Sequence, residues 1–106
     1  MNRPLTIPIH RRPTQPGEIL LREFLEPLGL TQSAFAKHIG VTNARLSEII
    51  HGKRPVTMDS ALRFEQALGL RAESWMRMQM TVDMCDALHG PLDKSVGRIK
   101  RIGRAS

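Results

Sequence analysis

The chain has 106 residues, of which 41% are hydrophobic and 25% charged, a composition typical of one globular domain. Its single cysteine, Cys85, excludes an internal disulfide and gives no metal cluster, and no apolar run approaches the ~20 residues that a membrane-spanning helix needs. The net charge of +6 is concentrated at the ends: residues 1–15 carry +3 and residues 91–106 carry +4, whereas residues 16–90 carry −1. Basic ends favour contact with a polyanion or an acidic partner, although a solubilising role explains them equally well.

The charge distribution and the prolines divide the chain into three parts. Residues 1–15 contain three prolines and no acid, and we expect an extended basic arm in which residues 5–9 could form a short strand. Residues 16–90 carry the helical signals, and residues 91–106 form a loose basic tail in which residues 98–102 could form a second strand. Pro, Arg and His interrupt the N-terminus where a signal peptide would be apolar, so we expect a cytoplasmic protein.

The first predicted helix begins at Pro16, a favoured first helical residue, and ends at Pro27 and Gly29. Its apolar residues recur at the spacing that gives a helix one buried face. These residues are Ile19, Leu20, Phe24 and Leu28.

The second and third helices are predicted to form a pair joined by a glycine turn. Thr31 and Thr42 can each cap the helix that follows, and Gly40 supplies a tight turn at little strain. This is the helix-turn-helix layout, in which the second helix of the pair enters the major groove, although such pairs are common in helical proteins generally. The first helix of the pair presents Ala34, Phe35 and Ile39 as its apolar face, and the second ends near His51 and Gly52.

A fourth helix is predicted from Thr57, which caps it, to Gly69, with Asp59 in the first turn where the helix dipole favours an acid. A fifth helix, from about Ala72 to Leu88, is apolar on two faces, and such a helix is normally buried on both. One face can serve the core and the other a second subunit, or the methionine-rich face can belong to the core as well. We expect a dimer interface that includes Trp75, Met76, Gln79, Met80, Val82 and Met84.

The third helix has a polar outward face. With Leu46 directed inward and a turn of 100° per residue, Ile49 and Ile50 also fall on the inward side. The outward residues are Asn43, Ala44, Arg45, Ser47 and Glu48.

These outward residue types match the groups that base edges present in the major groove. Asn pairs with adenine, Arg with guanine, Ala contacts the thymine methyl group and Glu accepts from cytosine. Lys53 and Arg54 suit phosphates, and Gln32 and Ser33 can contact the DNA backbone through the start of the second helix. The alternative is an ordinary solvated helix face. We favour DNA binding because small polar residues are concentrated on a short helix after a glycine turn.

Glu48 is an acid in the middle of this face, and two roles are open to it. It could hold the Arg45 guanidinium across one helical turn, or it could accept a hydrogen bond from cytosine directly.

Residues 30–70, LTQSAFAKHIGVTNARLSEIIHGKRPVTMDSALRFEQALGL, resemble the Cro/phage-repressor (Xre) helix-turn-helix family. Two further features, the opening PGEILLREFLEPLGLTQ and the pair Trp75 and Gln79, are similar to those of HigA-type antitoxins of bacterial toxin–antitoxin modules. The similarity covers residues 16–86, about two thirds of the chain.

The resemblance implies an all-α, five-helix Cro-like domain with the basic arm and tail added. It also implies a bacterial homodimer that binds a palindrome in its own promoter and neutralises a RelE-like, mRNA-cleaving toxin. Two departures are notable: Arg71 stands where relatives often have a capping Ser or Thr, and Glu48 replaces a frequent Arg. Carried onto this chain, the family's DNA contacts fall on Gln32, Thr42, Asn43, Ala44, Arg45, Ser47 and Glu48, with phosphate contacts at Lys53 and Arg54.

We expect no catalysis, cofactor, small-molecule substrate or membrane association. The four histidines are scattered without metal-ligand spacing, and Cys85 fits a buried apolar position better than a nucleophile. Two alternatives to the antitoxin remain: a stand-alone Xre-type repressor without a toxin, and a protein-interaction module whose DNA face has degenerated.

Overall fold

The computed structural model describes residues 12–103, and within that range the chain is entirely helical with no strand. The all-α Cro-like class is confirmed, but residues 12–103 form six helices where five were predicted. The first helix, α1, runs over residues 16–28 in three consecutive segments: Pro16–Ile19, Leu20–Leu25 and Glu26–Leu28. The others are α2 (Gln32–Ile39), α3 (Asn43–Ile50), α4 (Met58–Leu68), α5 (Ala72–Leu88) and α6 (Pro91–Gly97).

α1 continues through Pro27 because its middle segment is π-helical. The amide of Glu26 donates to the carbonyl of Leu21, five residues back, so the turn is wider than in an α-helix. In a regular α-helix the Pro27 ring would meet the carbonyl of Glu23, and the wide turn relieves that clash. The helix ends at Gly29, which has a φ of 67°, so Gly29 but not Pro27 is the terminator.

The core lies where α1 to α5 meet, and it is organised around Trp75. The Trp75 ring packs against Phe64 with centroids 5.1 Å apart and against Phe24 at 5.6 Å. Two predicted core positions are wrong: Leu28 and Ala34 are exposed, and Ala36 takes the buried place on α2. The largest fully buried side chains are Trp75, Phe35, Phe64, Leu20, Leu25, Leu46, Val82 and Pro16.

The backbones of α1 and α3 touch at Gly17. A Cβ atom at this position would lie 1.9 Å from the carbonyl oxygen of Ile49 and 2.7 Å from the Cα of Ile50. Only glycine allows this approach, and it fixes where the C-terminal end of α3 sits relative to α1.

Side chains from distant positions complete the helix ends. The Arg63 guanidinium of α4 donates to the carbonyl of Ile39 at the end of α2 (2.7 Å). The Glu65 carboxylate accepts from the amide of Ala72 (2.6 Å) and so supplies the cap that Arg71 does not. The buried Gln79 carbonyl accepts from the amide of Val56 (2.9 Å), which ties α5 to the loop before α4.

The tail differs from its prediction. Pro91 does not terminate a helix. It occupies the first turn of α6, where its missing N–H costs no hydrogen bond. Residues 98–102 contain no strand, and the amide of Ile99 closes a last turn on the carbonyl of Val96 (3.0 Å). The strand predicted over residues 5–9 lies outside the described residues. Among residues 12–103, no helix is long and apolar enough to cross a membrane.

Candidate nucleic-acid interface

Both helices of the helix-turn-helix pair begin with the threonine caps that the sequence predicts. The Thr31 hydroxyl accepts from the amide of Ala34 (3.1 Å), and the Thr42 hydroxyl accepts from the amide of Arg45 (3.0 Å). Between them, Gly40 adopts a φ of 77°, a left-handed conformation that favours glycine. The two helices therefore start at defined residues and are held in a fixed turn.

The N-terminal ends of α2 and α3 are joined by a hydrogen bond between side chains. The Gln32 amide nitrogen donates to the Asn43 side-chain oxygen (3.3 Å). Thr42, Asn43 and Ala44 are exposed, and Ser33 is exposed beside them. The structure thus brings together the polar residues predicted on both helices, and the bond leaves the Asn43 amide hydrogens available to a ligand.

Arg45 does not extend freely from this surface. Its guanidinium forms a salt bridge with Asp59 and donates to the Ser60 hydroxyl (2.8 Å), both in the first turn of α4. Asp59 also accepts from Arg63 (3.1 Å). These contacts lower the pKa of the Asp59 carboxyl, chiefly through the hydrogen bond from Arg45 and then that from Arg63. In the unbound protein Arg45 therefore anchors α3 to α4.

Glu48 pairs with Arg54, so the predicted pairing with Arg45 is wrong. One Glu48 carboxylate oxygen accepts from Arg54 Nε (2.8 Å) and lies 2.7 Å from Arg54 Nη2. The carbonyl of Glu48 also accepts from the amides of Lys53 and Arg54 (2.8 and 3.2 Å). Glu48 thus holds the loop after α3 with both its backbone and its side chain, because the chain turns back at Gly52.

His51 is an exposed polar residue on this surface that sequence reasoning did not select. Its Nδ1 atom lies 2.8 Å from the carbonyl oxygen of Ser47, and because a carbonyl only accepts, Nδ1 carries the hydrogen. The Nε2 atom is then left to face a ligand. The sequence indicates this contact, because His51 lies four residues after Ser47 at the end of a helix, where a histidine can donate to a free backbone carbonyl.

The N-terminal segment meets α5 beside the loop that follows α3. Arg12 donates to both carboxylate oxygens of Asp86 (2.9 and 2.7 Å), and the hydrogen bond lowers the pKa of Asp86. A cleft of about 240 Å³ between this pair and the loop is lined by Lys53 and Arg54, among others. Residues 12–15 of the basic arm therefore lie next to the residues predicted to contact phosphates.

The predicted dimer residues divide into two groups. Trp75, Gln79 and Val82 are buried in the protomer's own core, so they are not available to a second subunit and this part of the prediction is wrong. The remaining three residues, Met76, Met80 and Met84, keep accessible surface on another face of α5. Cys85 is buried, as expected, with its sulfur 3.5 Å from His89 Nδ1. Within residues 12–103, no group of three His, Cys, Asp or Glu side chains could hold a metal ion.

The fold and this surface are those of a helix-turn-helix protein, and comparisons with known proteins identify the same class. The helix-turn-helix family model matches residues 21–75, more than half of the chain. The chain belongs to the helix-turn-helix family, in the branch of the HigA-type antitoxins.

Two relatives and one solved structure are similar to this chain over 65–89% of its length. Antitoxin HigA-1 of Vibrio cholerae is 41% identical over 76 residues, which span 72% of this chain and 71% of the relative. Virulence-associated protein I of Dichelobacter nodosus is 44% identical over 69 residues, 65% of this chain, and the match spans 64% of that relative. Antitoxin GraA in complex with its operator superimposes with a TM-score of 0.78 and 31% identity, covering 89% of this chain and 95% of that chain.

Proposed function

We propose that this protein is an antitoxin that binds operator DNA in its own promoter as a homodimer and neutralises a RelE-like, mRNA-cleaving toxin in the bacterial cytoplasm. The observation that supports DNA binding most directly is the joined, exposed pair of helix N-termini at Gln32 and Asn43. A solved antitoxin with the same fold is bound to its operator, which supports the same assignment.

In the proposed complex, the first turns of α2 and α3 face the DNA. Asn43, Ala44 and Ser47 reach base edges, while Gln32, Ser33 and the cap Thr42 position the helices on the backbone. Two such α3 helices across a dimer axis would read half-sites about one helical turn, ~34 Å, apart. Lys53 contacts phosphate, and the basic arm (1–15) and tail (91–106), which flank the DNA-binding and dimerisation domain (16–90) in sequence, add positive charge.

Arg45 and Glu48 have different proposed roles from the other residues of this surface. Arg45 orients α3 through Asp59, and it would have to leave that carboxylate to read guanine. Glu48 forms an ion pair with Arg54, and the pair has no net charge. We expect it to weaken the sequence-independent attraction of Arg54 to DNA phosphates. Glu48→Gln would free Arg54, and we expect affinity for all DNA to rise while discrimination between operators falls.

The DNA half of the proposal is tested by gel-shift binding to the protein's own upstream sequence and to random DNA of equal length, at two salt concentrations. We expect preference for the upstream sequence and a steep loss of affinity with salt, because bound protein releases counterions. The control is a variant with Asn43→Ala, which should lose the preference but keep the salt dependence. Equal binding to both DNAs would instead support the interaction module with a degenerate DNA face.

The toxin half of the proposal rests on charge. Glu23 and Glu26 are exposed and three residues apart, so they share an acidic face of α1, whereas the third acid of this helix, Glu18, lies 3.5 Å from Arg22. We propose that this face contacts the basic surface of an mRNA-cleaving toxin.

The product of the adjacent gene should copurify with this protein, and growth arrest by that product should be relieved when both are expressed. Glu23→Lys with Glu26→Lys should weaken capture of the toxin and spare operator binding, and unchanged capture would contradict the proposed contact. Operator binding without capture or growth rescue would identify a stand-alone repressor.

A further inference from the structure

The segment after α5 exposes four large apolar side chains. Leu92 and Val96 on α6 are 58% and 54% exposed, and Ile99 and Ile102 beyond it are 75% and 92% exposed. Leu92 and Val96 are four residues apart and share one face of α6, and Ile99 and Ile102 follow the end of the helix at Gly97. The tail thus presents an apolar stripe, defined here as these four residues, and clustered exposed apolar groups indicate a contact surface.

A second apolar stripe runs along α5 beside its core face, and its first residue, Met76, packs partly against the core. Met76, Met80, Met84 and Ala87 recur at intervals of three and four residues, which places them on one helix face. Met80 is 59% exposed, and the other three are half-buried. This methionine stripe is therefore an apolar surface that the protomer itself leaves partly open.

The two stripes do not bury each other within one chain. α6 packs against the end of α5, but Met80 and all four apolar residues of the tail stay accessible. Gly90 and Pro91 separate the helices, and α6 starts anew from an extended residue at Gly90. Each stripe is thus open to another molecule.

The charges favour pairing a tail with an α5 helix over pairing two α5 helices. α5 carries three acids and one base, and residues 91–103 carry four bases and one acid. Two α5 helices face to face would bring together two net negative charges, whereas a tail brings a net positive charge to a negative helix.

We propose that residues 91–103 of one chain dock on the methionine stripe of a second copy, and that the reciprocal exchange closes a two-fold dimer. This inference rests on the homodimer of the proposed function and specifies its interface. A stable interface buries about 800 Å² on each partner, and the methionine stripe alone, roughly 16 Å long and 10 Å wide, is too small. The exchange adds both tails to the contact, and a closed symmetric pair leaves no stripe open.

Sedimentation equilibrium of the full-length protein tests the exchange. Val96→Ser with Ile99→Ser should raise the dimer dissociation constant at least about tenfold, because both side chains lose an apolar contact. The matched control is Met58→Ser with Leu62→Ser, which changes two α4 residues of similar exposure, 54% and 51%, and should leave the constant within about twofold. Circular dichroism should show the wild-type helix content for both variants at 25 °C, so that a loss of folding does not explain a loss of the dimer.

Three outcomes of sedimentation, combined with binding measurements, would count against the proposal. A wild-type dimer that the Val96 and Ile99 changes leave intact would overturn the exchange alone. A wild type that stays monomeric would contradict the homodimer and the exchange together. Intact dimers with weaker binding to operator DNA, or to vesicles of anionic lipid, would also overturn the exchange and assign the tail to that partner.

Disulfide trapping gives an independent test. Val96→Cys and Met80→Cys are made in separate chains, mixed and oxidised, and we expect a covalent dimer of one chain of each kind. Each variant oxidised alone is the control, since the native Cys85 is buried. Efficient coupling of the Met80→Cys chain to itself, without coupling in the mixture, would show α5 paired with α5 and overturn the exchange.

Discussion

Replacing Gly17 by alanine should destabilise the protein and displace the helix proposed to read DNA. The new Cβ would lie 1.9 Å from the Ile49 carbonyl oxygen, where ordinary contact begins near 3.4 Å, so α1 and α3 must separate by about 1.5 Å. The contacting atoms are backbone, and no side-chain rotamer can relieve them. Overpacking costs about 1–3 kcal/mol, and a clash between backbone atoms belongs to the upper part of that range, about 2–3 kcal/mol. The better helix propensity of alanine returns about 0.5–1 kcal/mol.

The expected net loss is about 1–2 kcal/mol, which lowers the midpoint of thermal unfolding by roughly 5–15 °C for a domain of this size. Circular dichroism at 222 nm measures the midpoint, and gel-shift binding of the folded variant measures the effect on DNA. Gly97→Ala is the control, because a Cβ there meets no atom within 4 Å, and its midpoint should not fall. A Gly17→Ala protein as stable as the wild type would refute the argument from backbone contact.

Three further predictions concern single side chains. The pairing with Arg45 lowers the pKa of Asp59 in the folded protein. The contact therefore stabilises the fold above the unfolded pKa of about 4, and this stabilisation is lost as the pH falls through the folded pKa. In acid unfolding, Asp59→Asn should lack this pH-dependent loss of stability. Glu65→Ala removes the acceptor of the Ala72 amide and should cost about 0.5–2 kcal/mol in urea unfolding. Lys53→Ala should weaken operator binding uniformly and reduce the salt slope by about 1.

Each of these predictions has a result that would count against it. Identical acid-unfolding curves for wild type and Asp59→Asn would show that the α3–α4 contact contributes nothing to stability. Glu65→Gln retains an acceptor oxygen and serves as the control for Glu65→Ala, so equal losses in both variants would point to charge instead of capping. A Lys53→Ala protein that loses affinity for one operator sequence only would contradict a phosphate contact.

The sequence by itself determined the features that depend on interactions within one or two helical turns. Thr31, Thr42 and Thr57 cap the helices that they precede, and Gly40 forms the turn, because each of these bonds joins residues close together in the chain. The inward direction of Leu46 followed from helical periodicity for the same reason.

The tertiary structure alone decided which partner each long side chain takes. Arg45 meets Asp59, fourteen residues on, and Glu65 caps Ala72, because these pairs depend on how α4 packs against its neighbours. Glu48 had two arginines within reach, and the turn at Gly52 brought Arg54 to it. Periodicity placed apolar residues on two faces of α5, but only the packing of α1, α4 and α5 showed that Trp75 faces the core and Met80 does not.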